Sequence, residues 1–328
     1  MSTAFPRLYL RSYLAPLAPF LEAGDVTDIY VNRPGEVWTE SVRGAVERHD
    51  VPALDETMLA RLARQIAALS DQGISREHPL LSATLPDGAR VQVIAPPATR
   101  GPMALAIRKH LSSDLRLADY VAAGAFAETK AGRTVGRSAV DAELADLLAQ
   151  GDIAGMLSAA VRARKNILVS GGTSTGKTTF LNALLQEVPA HERLILIEDT
   201  PELKLTHPNA IGLIAARGEL GEARVDADML LAASLRMRPD RIILGELRGT
   251  EAYTFLRAVN TGHPGSMSSV HADSAGGAIE QIVLLVLQGG GRLDRGDVRH
   301  YVESTVGVFV QLARTGGRRH VAEVVLAE

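Results

Sequence analysis

Cysteine is absent from this chain. That excludes disulfides and any thiolate-ligated zinc, and it fits a reducing compartment. Lysine is scarce. It stands only at positions 109, 130, 165, 177 and 204, and arginine supplies nearly all the remaining positive charge. Long apolar runs are also missing. The best, Ile282 to Leu287, is far too short to span a bilayer. Residues Met1 to Ser12 carry Arg7 and Arg11, with no following apolar stretch of signal-peptide length. Any work at a membrane is therefore expected to be peripheral. Aromatics make up only 4% of residues and the net charge is −3, so strong intrinsic nucleic-acid binding through a broad basic field or aromatic–basic stacking is not expected.

What is present is a phosphate loop. Gly171, Gly172, Thr173, Ser174, Thr175, Gly176, Lys177 and Thr178 fit G-x-x-x-x-G-K-[ST] in full, and Thr179 follows. The apolar run Asn166–Ser170 precedes the loop as a buried strand, and residues with helical spacing follow it. Strand, glycine loop and helix together turn consecutive N–H groups toward phosphate oxygens. Lys177 supplies a point charge for the β/γ-phosphates, and the Thr178 hydroxyl is the expected Mg²⁺ ligand. A nucleotide with Mg²⁺ is thus the expected ligand.

At 328 residues the chain has room for two cores. Val26–Val31, Glu36–Thr39, Leu80–Leu85, Arg90–Ile94 and Ala104–Arg108 read as strands. Arg33-Pro34-Gly35 and Pro86-Asp87-Gly88 mark turns. Asp55 is placed to cap a helix whose apolar face holds Leu59, Leu62, Ala63, Ile66 and Leu69. A small α+β domain is expected over 1–110. Residues 111–155 have weak periodicity and read as a linker with a helix near Val140–Ala149. Over 156–328 strands and helices alternate, which predicts an α/β domain with a mostly parallel sheet. Its strands are Asn166–Ser170, Arg193–Glu198, Arg241–Gly245 and Ser266–His271. Its helices are Gly176–Glu187, Asp226–Met237, Thr250–Val259 and Ala275–Leu287.

Ligands of open α/β sheets bind beyond the carboxyl ends of strands. Glu198 and Asp199 end one apolar strand and Glu246 ends another, so all three are expected near the loop. His271, and less so His263, flank a short strand and are candidate sensors of a γ-phosphate.

Four blocks in this order resemble the secretion traffic ATPases. They are the phosphate loop, Ile197-Glu198-Asp199-Thr200-Pro201-Glu202-Leu203, the strand ending in Glu246, and the histidine-bearing segment Thr261–Ala272. Leu235–Arg248, Asp28–Glu36 and Leu85–Gln92 are most similar to the hexameric ATPase of type IV secretion and conjugation systems. The resemblance implies a RecA-like ATPase domain behind the small N-terminal domain. It implies a homohexameric ring with ATP bound between the two domains. It also implies partners among inner-membrane components and a place on the cytoplasmic face of that membrane. Glu246 would orient or deprotonate the attacking water, with Glu198 supporting metal and water. Arg90 and Arg108 would reach the γ-phosphate as arginine fingers do, and Arg238 matches a further arginine near the phosphates. The second acidic strand ends in Glu rather than the usual Asp, leaving metal ligation shared among Glu198, Asp199 and water. The length of 111–155 would also let the N-terminal domain serve a neighbouring subunit. Other readings are a type II secretion or pilus-retraction motor, a small-molecule kinase, and a nucleic-acid-binding module.

Overall fold

The computed structural model describes residues 4–109, 117–122, 124, 126–127, 138–216, 221–290 and 293–327. Much of the expected linker therefore lies outside the described residues. The chain opens with α1 (Ala4–Leu14) and the short α2 (Ala18–Glu22). Strands β1 (Val26–Val31), β2 (Glu36–Ser41) and β3 (Val46–Asp50) follow, then α3 (Glu56–Leu69). Next come β4 (Leu80–Thr84), β5 (Arg90–Ile94) and β6 (Ala104–Arg108). These six strands form one antiparallel sheet in the order β3-β2-β1-β6-β5-β4. Period-two alternation gives it two unlike faces. Ile29, Val31, Val91, Val93, Leu105 and Ile107 pack on α1 and α3 in one core. Tyr30, Ile94, Ala104 and Ala106 turn the other way and join the core of the second half. α3 begins as expected: the Asp55 carboxylate accepts from Met58 N–H at 2.7 Å. Leu59, Leu62, Ala63, Ile66 and Ala67 form its buried stripe.

After α4 (Leu117–Ala122) come α5 (Ala139–Ala149), α6 (Ile153–Arg162), β7 (Ile167–Gly171), α7 (Lys177–Leu185), β8 (Leu194–Glu198) and β9 (Ala210–Ile214). The chain continues through α8 (Ala227–Ser234), β10 (Arg241–Leu244), α9 (Glu251–Asn260), β11 (Met267–Val270), α10 (Ala275–Gln288), α11 (Arg295–Thr305), β12 (Val308–Thr315) and β13 (Arg318–Leu326). The second sheet runs β13-β12-β7-β11-β10-β8-β9. All its pairs are parallel except the β12–β13 hairpin. Helices cover both faces. Ile195, Ile197, Ile242 and Leu244 face α8, α9 and α10, while Leu194, Leu196, Ile167 and Val169 face α5, α6 and α7. This is the expected α/β class, with a smaller α+β unit ahead of it.

The structure departs from the sequence reading at the linker's end. Residues 138–155 form α5 and the start of α6, and Leu144 and Met156 are buried in the core under β7. The expected helix at Val140–Ala149 is α5. Its start is secured by a reciprocal box in which Ser138 accepts from Asp141 N–H and Asp141 accepts from Ser138 N–H. Asp141 also bonds Lys165. That bond, and next Ser138, pull its pKa down to about 2 from 3.8. A depressed carboxylate stabilises the fold above its unfolded pKa, and the contribution is lost as pH falls through the folded value. Allowing for its partial exposure, Asp141→Ala is expected to cost about 1 kcal/mol at pH 7. In denaturant titrations the gap from wild type should close as pH drops from about 4 toward 2. A gap that ignores pH would assign the loss to packing.

The two halves meet along the edge strand β9. Ile214 N–H donates to Ala98 O and Arg100 N–H to Gly212 O, both at 2.9 Å, so the β5–β6 connection lies antiparallel beside β9. A buried polar cluster reinforces the contact at the other end of β8. The Arg193 guanidinium stacks 4.2 Å over the Tyr30 ring. It also donates at 2.6 Å to both Asn32 and Asn209. Burial lowers the Arg193 pKa to about 10 and raises that of Tyr30. The N-terminal half is thus seated beside the nucleotide-type sheet rather than over its phosphate loop.

Candidate active site

Because β7, β8, β10 and β11 are parallel, their carboxyl ends share one edge, and each ends in a polar segment. β7 leads into the phosphate loop. There Ser174 has φ +61° and Gly176 φ +94°, so two consecutive turns place the backbone in the left-handed region before α7 starts. Gly171 could carry no side chain: a Cβ there would lie 2.4 Å from Thr175 Oγ1. The Thr175 hydroxyl in turn donates to Gly172 O at 2.8 Å and holds the loop closed on itself. Lys177 Nζ donates to Gly171 O at 3.0 Å. Burial lowers the Lys177 pKa, opposed by the charge of Glu246.

Around Lys177 the other strand ends converge. Glu246 Oε1 lies 2.7 Å from His271 Nε2 and 4.0 Å from Lys177 Nζ. Lys177 Nζ is 3.4 Å from His271 Nδ1. Lys177, Glu246 and His271, named separately in the sequence, form a contiguous cluster. A cleft of about 210 Å³ opens beside it, lined by Thr178, Glu198, Asp199, Glu246 and Arg248. Arg248 was not singled out from the sequence. It donates to Glu246 and approaches Asp199 at 3.8 Å, tying the two acidic strand ends together. Its signal was available, two residues past Glu246 in a segment already quoted.

Glu198 lines this cleft, but its carboxylate is otherwise engaged. Oε1 accepts from Glu202 N–H at 3.0 Å and Leu203 N–H at 2.8 Å. Oε2 is paired with Arg100. Only 3% of the Glu198 side chain is exposed, against 31% for Asp199. As a metal ligand, the expected role for Glu198, it would first have to leave these partners. Among the described residues no group of three His, Cys, Asp or Glu side chains is arranged to hold a metal. The residues present nonetheless fit Mg²⁺ in the manner usual for phosphate sites, with a hydroxyl such as Thr178, waters and substrate phosphates as ligands. They fit ATP through the N–H-lined turn and the α7 N-terminus.

The three expected arginines are not at this cleft. Arg90 and Arg108 lie side by side on β5 and β6 and line a second cleft with Arg236. Arg108 faces Asp28 at 3.8 Å. Arg238 precedes β10 and so sits at the amino end of the sheet, opposite the phosphate loop. It bonds Asp240 at 2.9 Å and Glu40 at 2.5 Å. Burial works against its charge, but hydrogen bonding to Asp240 and the Glu40 carboxylate outweigh that and raise its pKa. His263 is at the same far end, bonded to Pro239 O at 2.8 Å, with its pKa lowered by burial. Within one chain, then, neither Arg238 nor His263 reaches the phosphate loop. Thr179 and the loop's flank meet another element the sequence reading missed, the β12–β13 hairpin. Its Arg319 Nε donates to Ser174 O at 3.0 Å.

The chain matches the family model described as type II/IV secretion system protein over residues 12–315. This chain belongs to that family. Similar relatives include the type IV secretion system protein VirB11 of Bartonella henselae, 39% identical over 95% of this chain and 91% of the relative. VirB11 of Brucella suis is 41% identical over 95% of this chain and 88% of the relative. The crystal structure of the VirB11 ATPase from the Brucella suis type IV secretion system, in complex with sulphate, superposes with a TM-score of 0.92. It is 38% identical and covers 98% of this chain and 95% of that one. Within the family, these whole-length matches lie with type IV secretion, as the sequence resemblance implied, rather than with a small-molecule kinase.

Proposed function

We propose that this protein is the ATP-hydrolysing motor of a type IV secretion system, working as a ring of six copies on the cytoplasmic face of the inner membrane. The observation that carries the reading is the Lys177–Glu246–His271 cluster at the mouth of a complete phosphate loop, in a chain similar to VirB11 proteins along nearly its whole length. Among the described residues no helix is long and apolar enough to cross a membrane, in keeping with peripheral attachment to inner-membrane components. The functional division we infer is an N-terminal domain over 1–110, a connection beyond it, and an ATPase domain that begins with α5.

In this reading the backbone of residues 171–176 cradles the phosphates, and Lys177 neutralises the β/γ oxygens. Mg²⁺ bound through Thr178 would neutralise further phosphate charge. Glu246 orients the attacking water and accepts its proton. His271 touches both Glu246 and Lys177 and so reports whether a γ-phosphate is in place. Arg248 keeps Glu246 and Asp199 in register.

The separate placing of Arg90 and Arg108 gives them a different address. Their cleft, about 580 Å³ and lined by Arg90, Arg108 and Arg236, would receive the phosphates of a neighbouring copy. Arg238 would act across the same subunit boundary. This predicts complementation. A chain with Arg90→Ala and Arg108→Ala should lose about a hundredfold in ATP turnover, as a chain deprived of transition-state donors does. Mixed one to one with Lys177→Ala chains, random assembly should restore about a quarter of wild-type turnover, because that share of sites would have both an intact loop and intact arginines. Absence of any recovery, with mixed assembly confirmed by size, would return the arginines to their own chain or to the surface. Specific activity that rises with protein concentration and then levels off would separately establish the oligomer as the active unit.

A further inference from the structure

Arg100 belongs to the N-terminal half by sequence, in the connection between β5 and β6, yet its guanidinium ends on Glu198, which lines the phosphate-loop cleft of its own chain. Its N–H donates to Gly212 O at 2.9 Å, which docks the connection on β9. From there the side chain passes over Gly212 of β9 to the carboxyl end of β8. Nη1 donates to Leu203 O at 2.5 Å and Nη2 pairs with the Glu198 carboxylate. Space for this path is cut by two glycines. A Cβ on Gly212 would lie 2.5 Å from Arg100 Cδ, and one on Gly245 would lie 2.9 Å from Glu198 Cγ. Gly212 stands directly opposite Leu196 on β8, two residues before Glu198. The Arg100 side chain is 13% exposed and that of Glu198 3%.

We propose that Arg100 is a positioning residue of the nucleotide site: it holds the Glu198 carboxylate in cis and thereby fixes the 199–203 segment, on which Asp199 faces the phosphate-loop cleft. Every oxygen of Glu198 then serves the protein rather than the metal. One oxygen holds the N–H groups of Glu202 and Leu203, and the other meets Arg100, which also holds the Leu203 carbonyl. The segment is clamped from both sides. The N-terminal half is thus linked to its own cleft through Arg100 while its Arg90 and Arg108 face elsewhere. Burial lowers the Arg100 pKa.

The inference rests in part on the ATPase reading, so its test has a readout independent of turnover. Four variants are compared with wild type: Arg100→Met, Arg100→Lys, Glu198→Gln, and Arg100→Met combined with Glu198→Gln. Turnover and amide hydrogen exchange over 199–203 are both measured, with exchange in β1 and β6 reporting an intact fold. Arg100→Met should lower kcat about tenfold with KM for ATP changed less than about twofold, because the phosphate loop is untouched. Exchange at Glu202 and Leu203 should accelerate at least about tenfold. Arg100→Lys should recover part of both effects. The double variant removes both charges and keeps an amide oxygen to accept the two N–H groups, so it should lie closer to wild type than Arg100→Met in both readouts. Unchanged exchange over 199–203 in Arg100→Met would overturn the proposal. So would a double variant that regains the protected segment but stays as inactive as Glu198→Gln alone, because Glu198 would then act on metal or water directly. An inactive wild-type protein would instead sink the ATPase reading and leave the exchange comparison to decide the clamp.

Discussion

Lys177→Ala is expected to reduce ATP turnover at least about a thousandfold while leaving the fold intact. The Lys177 side chain is only 10% exposed. Its ammonium is already directed into the turn, donating to Gly171 O and standing within 4.0 Å of Glu246. A charge held in a poorly solvated turn needs no reorganisation when phosphate charge develops, and this is where a positioned charge is worth most. Alanine removes the charge without disturbing strand β7 or the buried face of α7, which is formed by Leu181, Leu184 and Leu185. Phosphate release and thermal melting together check the prediction. Turnover within about tenfold of wild type would show that the N–H groups of the loop suffice and that Lys177 has been given too large a part.

The largest stability effect is expected at Arg241, at the amino end of β10. Arg241→Ala should cost about 3–5 kcal/mol, a large fraction of the stability of an ordinary domain. The Arg241 side chain is 0% exposed. It meets Glu192 through two parallel bonds of 2.8 and 2.6 Å and donates to Val161 O at 2.8 Å. Gly265, with φ +81°, leaves room for it: a Cβ there would fall 2.6 Å from Nη1. Alanine would remove both short bonds to Glu192 and leave its buried carboxylate with Arg164, 3.7 Å away, as its remaining cationic partner, and the lost compensation for a desolvated charge dominates the cost. The pair itself is a weaker source of stability than this loss implies. Replacing both partners, Arg241→Met with Glu192→Leu, is therefore expected to recover most of the cost. Denaturant midpoints of the single and double variants read the difference directly. A single variant less than about 1 kcal/mol below wild type would mean that water or a rearranged side chain reaches Glu192.

Several elements were readable because their signals are local. α3 carries its own cap at Asp55 and its own stripe, and it appears where the spacing puts it. β8 is a continuous apolar run ending in Glu198, and β10 is apolar after Arg241 with Glu246 two residues past its end, because both faces of a parallel sheet are covered. Other elements were missed for identifiable reasons. β9 is a five-residue run containing Gly212 and has no flanking periodicity. α11 is rich in Arg, Asp and His and buries only Val298, Val302 and Thr305. The β12–β13 hairpin did carry a signal, Gly316-Gly317 between two β-rich runs. Both glycines take positive φ, as a two-residue hairpin turn requires.

The sequence by itself determined the phosphate loop and the strand-end acids. The turn conformation depends on eight contiguous residues, and a strand's alternation fixes where its last side chain points. Only the tertiary structure decided which arginine meets which acid. That depends on how the N-terminal sheet docks against β9, a choice made by burial of Tyr30, Ile94, Ala98 and Ala106 against the second core. Seating the sheet there sends Arg100 to Glu198 and leaves Arg90 and Arg108 facing another cleft. An arginine looks the same in sequence at all three positions. What separates them is the shape of the surface each can reach, set by contacts between residues about a hundred positions apart.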